Sequence, residues 1–241
     1  MAAPLGAEAA ARSTERSAPA SSKLVWMNAT LPLADHATRD DLRIFLERLQ
    51  RAGREEVRLT VRGRVLAVYG CTQAPRGITD ELPVVLVMRG FELAEEPAVP
   101  VDATVPARAL LDRIARMGLV GLALDVPEAS GMVAWAGVLP PLSGWTPAGT
   151  VDAASLAGVA AEGIARVAAQ LPEDPGEAVV HRVRATVWGA EVAPGLPAAA
   201  AFAAESMGLL REDEPVRLAR SLTWTRLTTS RGHVLVRSLL G

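Results

Sequence analysis

Apolar residues recur along this chain with two periods, and the switching between them predicts strands interleaved with helices. Leu42, Phe45, Leu46 and Leu49 fall three and four residues apart, one stripe of a helix that should pack on a sheet. Its ends are marked as well. Thr38 followed by Asp41 has capping-box spacing, Asp40 and Asp41 suit the positive end of the helix dipole, and Arg48 and Arg51 suit the negative end before Gly53. A short strand over residues 24–30 precedes this helix. After it, Val57, Leu59 and Val61 alternate with Arg58, Thr60 and Arg62, and a turn at Gly63 leads into an apolar run over residues 65–69. That pattern predicts a hairpin with one wet face. The denser run over residues 82–88 predicts a more buried strand, so the opening order is β, α, β, β, β.

Further along, a helix is expected from near Thr104, with Leu110, Leu111, Ile114 and Met117 inward and Gly118 at its close, then strands over 119–125 and 132–139. Asp152 should cap a long helix whose inner face holds Leu156, Val159, Gly163, Ile164, Val167 and Leu171; small residues at Gly158, Ala160 and Gly163 would let another backbone approach closely. Residues 179–188 alternate and predict a strand, residues 197–209 an alanine-rich helix, and residues 216–227 with 233–238 a closing hairpin. Ile114-Ala115-Arg116 and Ile164-Ala165-Arg166 each precede a segment carrying a tryptophan, Trp135 and Trp188. A match this short does not by itself establish a duplication. The fold class expected is α+β, with antiparallel or mixed sheets, helices on one face, and two similar subdomains.

The boundaries expected are a disordered tail over residues 1–22, an α+β half over 23–140, a linker over 141–150 rich in Pro and Gly, and a second half over 151–241. A single domain over 23–241 is the alternative. With 50% hydrophobic residues among 241, a sizeable core is available. A net charge of -2 gives no general attraction to polyanions, so neither nucleic acid nor an acidic membrane is an expected partner. Lys23 is the only lysine, so arginine richness reflects composition before function. The single cysteine, Cys71, rules out an intrachain disulfide, and the tail lacks the apolar run of a signal peptide; the expected location is cytoplasmic.

Chemical motifs are sparse. The glycines are not clustered as a phosphate-binding loop requires, and no Gly-x-Ser-x-Gly elbow occurs. Cys71 and the three histidines have no metal-ligand spacing, so no metal and no cofactor are expected. The catalytic candidates are His181, which strand parity would turn toward the apolar face, Cys71 at a strand end, and His233 at a hairpin tip. His36, ahead of the first helix, should be merely solvated. Arginines alternating on strands, among them Arg184 beside Trp188, are a candidate binding surface, and Trp145 in its proline loop is either a lid on the core or a contact residue. The alanine-rich helix must be covered by its own sheet or by another subunit.

The carboxy-terminal third, with Val187-Trp188-Gly189, Gly195-Leu196-Pro197, Trp224 to Leu227 and Gly232 to Arg237, resembles an uncharacterised conserved family of GC-rich bacteria. The resemblance implies no activity. Two functional expectations follow: a non-catalytic cytosolic protein that binds a protein partner or itself, and, as the alternative, an enzyme or small-molecule binder with a pocket between the halves. An enzyme would bring Cys71 or a histidine together with a carboxylate in one concave site.

Overall fold

The two apolar periods come together as one eight-stranded antiparallel sheet with helices on one side of it. The protein is described from a computed structural model, covering residues 29–77, 80 and 82–238. The expected amino-terminal tail and nearly all of the strand expected over 24–30 lie outside the described residues.

The first half runs β1 (Thr30–Pro32), α1 (His36–Arg51), β2 (Glu56–Arg62), β3 (Val65–Gln73), β4 (Val84–Glu92), β5 (Asp102–Pro106), α2 (Ala107–Arg116) and β6 (Ala123–Asp125). A 3-10 helix, Ala134–Gly137, leads to the second half: β7 (Thr146–Val151), α3 (Ala153–Gln170), α4 (Glu177–Gly189), β8 (Glu191–Ala193), β9 (Leu196–Pro197), α5 (Ala198–Ser206), β10 (Val216–Ser221), β11 (Trp224–Thr229) and β12 (Gly232–Arg237). The large sheet has the order β5-β2-β3-β4-β12-β11-β10-β7. Each half contributes a three-strand meander, flanked by an outer strand that feeds a helix, β5 into α2 and β7 into α3. The order therefore reads alike from either end. The two meanders meet in register where β12 pairs with β4, from His233 opposite Met88 to Arg237 opposite Val84.

Strand alternation sorts the side chains. Val57, Leu59, Leu66, Val68, Val85, Val87, Val234 and Val236 face the helices and form the main core with Leu42, Phe45, Leu46 and Leu49 of α1. The opposite face is not wholly wet. Tyr69, Cys71, Val84, Leu86, Trp224 and Leu235 make a second apolar cluster there, roofed by Trp135 and Ala136 of the 3-10 helix and by Trp145. The alanine-rich α5 packs on β4 and β12, directly over the seam, and Ala200, Ala201 and Ala203 have no exposure at all. Alanine lets the helix axis approach the sheet closely, and the helix is covered within the chain. Two α1 arginines tie neighbouring helix ends. Arg39 donates to the carbonyls of Gly118 and Leu119, each at 3.0 Å, past the end of α2, and Arg48 donates to the Met207 carbonyl at the end of α5.

Several local expectations are corrected. Asp35, not Thr38, caps α1, accepting from the Thr38 amide at 2.7 Å. Thr104 lies inside β5, so α2 begins only at Ala107. Trp135 sits on a 3-10 helix instead of a strand, and the stretch expected as a linker supplies the edge strand β7. Asp152 does cap α3, accepting from Ser155, but Ile164 stands 51% exposed, and α3 buries Ala153, Leu156, Ala160 and Gly163.

The largest correction is α4. Residues 179–188 alternate, yet they lie within a 13-residue helix that begins after Gly176 and ends at Gly189. Its length exceeds that of an ordinary strand, and β-branched residues only weakly oppose a helix that tertiary packing holds. That packing is specific. Trp188 lies against Phe202 of α5, ring centroids 4.5 Å apart, and over Gly163 of α3, where a Cβ would overlap the indole ring. The space left at Gly163 is filled by a tryptophan ring, not by the close backbone expected there. Replacing Gly163 with alanine should lower unfolding stability by about 1–3 kcal/mol, as overpacking does, measured by urea denaturation.

Candidate functional site

The helical turn of α4 decides where the candidate residues go. Strand parity would group His181 with Val179 and Val183; helical spacing instead brings Glu177, His181, Arg184 and Trp188 onto one face. This face forms one wall of a groove of about 320 Å³ between the two halves. The facing wall comes from the first half: Arg54 after α1, Thr72 and Gln73 at the end of β3, and Arg76 in the following loop. Ala199 and Phe202 of α5 also line it.

Each cationic group has a local reason for its place. Gly53 turns the chain out of α1 with φ +71°, and the Arg54 amide donates back to the Leu49 carbonyl at 3.0 Å, which starts the Arg54 side chain at the groove rim. Asp80 organises the loop after β3 by accepting from the Arg76 amide at 3.0 Å and the Leu82 amide at 3.1 Å. The same carboxylate reaches across to His181 Nε2 at 3.3 Å, and Arg76 reaches Glu177 at 2.8 Å. Two polar links thus span the groove from half to half.

Arg54 and Arg184 are different. Among the described residues neither has a carboxylate within 4 Å, and Arg54 Nε is buried with no hydrogen-bond partner. Burial draws the Arg54 guanidinium below its ordinary pKa; Cys71 opposes this, and the nearby charges of Arg184 and Arg76 add to it. A buried donor without an acceptor carries a desolvation cost that a bound anion would remove.

The other candidates are elsewhere. Cys71 is 5% exposed in the second cluster, donates to the Gln73 carbonyl at 3.2 Å, and is pushed up to about 12, chiefly by burial. It is a protonated filler below the sheet, and its neighbour Thr72 is the residue that reaches the groove. His233 belongs to β12 and is not a free hairpin tip; its Nδ1 lies 3.0 Å from Thr228 Oγ1, and burial, then Arg226 and Arg217, lower its pKa to about 4. His36 is exposed at the start of α1. Trp145 donates from Nε1 to the Pro141 carbonyl at 2.8 Å and lies under Arg226, whose guanidinium carbon is 4.3 Å from the ring centroid. It closes the second cluster as a lid. Trp188 is a core residue with one edge at the groove, so the surface expected of Arg184 and Trp188 is the wall of a cleft.

Several of the remaining arginines are engaged locally, Arg64 with Glu92 at 3.0 Å among them. Arg58 pairs with Asp102 at 2.8 Å, and Arg237 lies over Trp224 at 5.7 Å. Among the described residues no three His, Cys, Asp or Glu side chains gather as metal ligands, and no helix is long and apolar enough to cross a membrane. Sequence reasoning missed Arg54, Arg76 and Asp80. Only the αL signal of Gly53 and the loop residues Pro75 and Gly77 marked their surroundings.

Two family profiles match in tandem, Domain of unknown function (DUF8010) over residues 27–137 and Domain of unknown function (DUF8185) over residues 140–241. The second spans the carboxy-terminal third, whose resemblance to an uncharacterised family it bears out at that level. No curated protein matches the chain. Solved structures with a similar architecture include a DNA polymerase sliding clamp from Pseudomonas aeruginosa, with 17% identity over 88% of this chain and 64% of that chain, TM-score 0.47. Another is a Caulobacter crescentus beta sliding clamp, with 14% identity over 89% of this chain and 66% of that one, TM-score 0.49. The chain thus spans just under two thirds of their length, and the likeness lies in architecture alone.

Two outcomes follow from the displaced residues. Folded protein at pH 8 should react with a disulfide thiol reagent at Cys71 at least about a hundredfold more slowly than unfolded protein, because little thiolate forms. His233 favours the neutral form on folding, so unfolded chain binds the extra proton, and stability should fall as pH drops from about 6.5 toward 4. His233→Gln should flatten that part of the curve, read as the difference between the two proteins' denaturation midpoints.

Proposed function

We propose that this chain is a non-catalytic binding protein whose ligand presents an acidic group to the groove between its two halves. The observation that carries the reading is Arg54, a partly buried guanidinium without a counter-ion among the described residues, facing Arg184 across a concave site. A guanidinium placed in this way gains charge-assisted hydrogen bonds when it meets an anion. Among the described residues no activated nucleophile stands beside it, which favours binding over catalysis: His181 meets a carboxylate, but Cys71 lies outside the groove, and Thr72 donates its hydroxyl to the Val85 carbonyl at 3.1 Å.

The test is thermal denaturation at fixed ionic strength with phosphate, pyrophosphate or citrate in place of chloride. These anions should raise the midpoint of the unaltered protein by several degrees, and Arg54→Gln and Arg184→Gln should each remove most of that shift. Arg62→Gln, on an exposed part of β2, should respond like the unaltered protein. Equal response to all anions, or variants that respond in full, would contradict the reading.

A second reading, engagement of a protein partner or of a second copy, has its own observation. Leu222 is 94% and Leu142 66% exposed, on loops brought together where Gly144 lies against Ser221. Strand addition at the β7 edge is disfavoured, since β7 carries Pro147 near its start and departs from register against β10. If the leucines are an interface, light scattering should give an oligomer that the double change Leu142→Ser and Leu222→Ser converts to a monomer. A monomer before any change would remove this reading.

A further inference from the structure

Resting on the anion-binding reading, we infer that the groove takes a small phosphate monoester with a compact apolar substituent. Charge, donor number, wall chemistry and volume each narrow the choice.

Charge comes first. Of the three guanidinium groups at the groove, Arg76 is neutralised by Glu177 at 2.8 Å, and Asp80 is engaged with His181 and two backbone amides. Arg54 and Arg184 remain uncompensated among the described residues, two positive charges that match one dianion. A single carboxylate brings one negative charge and two oxygens. A phosphate monoester brings close to two charges near neutral pH and three terminal oxygens, enough to accept from guanidinium groups that arrive from opposite walls.

The walls exclude a bare inorganic ion as the best ligand. Behind the arginines the groove is lined by Leu82, Val180, Ala185, Phe202 and the edge of Trp188, with Ala199 at its floor. These come from the loop before β4 and from two helices, and they offer a body attached to the phosphate a surface to cover. Each methylene or ring carbon removed from water there adds affinity that phosphate alone cannot gain. Volume sets the upper bound. About 320 Å³ lies at the lower end of small-ligand sites, enough for a headgroup and one ring or short chain. An extended peptide would leave most of its length outside.

Calorimetric titration of the full chain separates this inference from the reading beneath it. Phenyl phosphate should bind at least about tenfold more tightly than inorganic phosphate, and Arg54→Gln should weaken both by a similar factor. Leu82→Ala should weaken phenyl phosphate and leave inorganic phosphate unchanged. Benzoate, with the same ring and a single charge, should bind more weakly than phenyl phosphate by about tenfold or more. Equal affinity for phosphate and phenyl phosphate would overturn the inference while the anion site stands. Benzoate equal to phenyl phosphate would overturn the choice of phosphate. No measurable heat with any of these probes would remove the site and the inference together. A phosphotyrosine peptide bound more than tenfold tighter than phenyl phosphate would reassign the ligand to a macromolecule and overturn the small-molecule class.

Discussion

Strands β4 and β12 join the two halves, and the other elements take their places from that pairing. These strands lie far apart in sequence, and their antiparallel ladder converts two meanders into a single sheet with a seam at its middle. Side chains on both faces are set by that register. A one-residue slip would exchange Val234 and Val236, which pack against the helices, with Leu235, which packs under Trp135, and both apolar clusters would be lost together. Because each face of the seam is buried, the register is specified twice.

From this constraint the groove follows. A helix that covers the seam must approach it closely, and α5 does so with alanines at six of its nine positions. Phe202 is its one large apolar side chain. It turns toward Trp188, and the pair fills the space beside α3, where Gly163 leaves room. Seating Trp188 fixes the carboxy-terminal end of α4, whereas the turns before it bury no residue fully and stand away from the core. What they face is the loop after β3, held by Asp80. The gap between them is the groove, and its cations arrive from both halves only because the seam brings those halves together.

Much of this architecture was legible in the sequence. Alternation at Val57, Leu59 and Val61, the stripe from Leu42 to Leu49, the Asp152 cap and the apolar run into β4 gave the correct elements because local pattern and tertiary burial agree there. Residues 179–188 misled because valines alternate on a helix that is only half covered, so its true face, Glu177, His181, Arg184 and Trp188, leaves no clean hydrophobic stripe. His181, Arg184 and Trp188 were singled out from sequence on strand geometry, and the helix nevertheless places all three at one site. Arg54 and Asp80 gave no such sign. Their importance comes from partners more than a hundred residues away in the chain, a relation that spacing cannot carry. Cys71 and His233 stood out as rare residue types, and burial in or beside the second cluster accounts for their chemistry.

The proposed role requires one anionic ligand held between the two halves. Hydrogen–deuterium exchange of the full chain, with and without saturating phenyl phosphate, tests it most directly. A ligand held in this way slows exchange on both walls at once, in residues 74–77 after β3 and in the amino-terminal turns of α4, with the outer strands β5 and β7 unchanged. Protection confined to one wall, or appearing only on the opposite face of the sheet around Trp145 and Arg226, would contradict it.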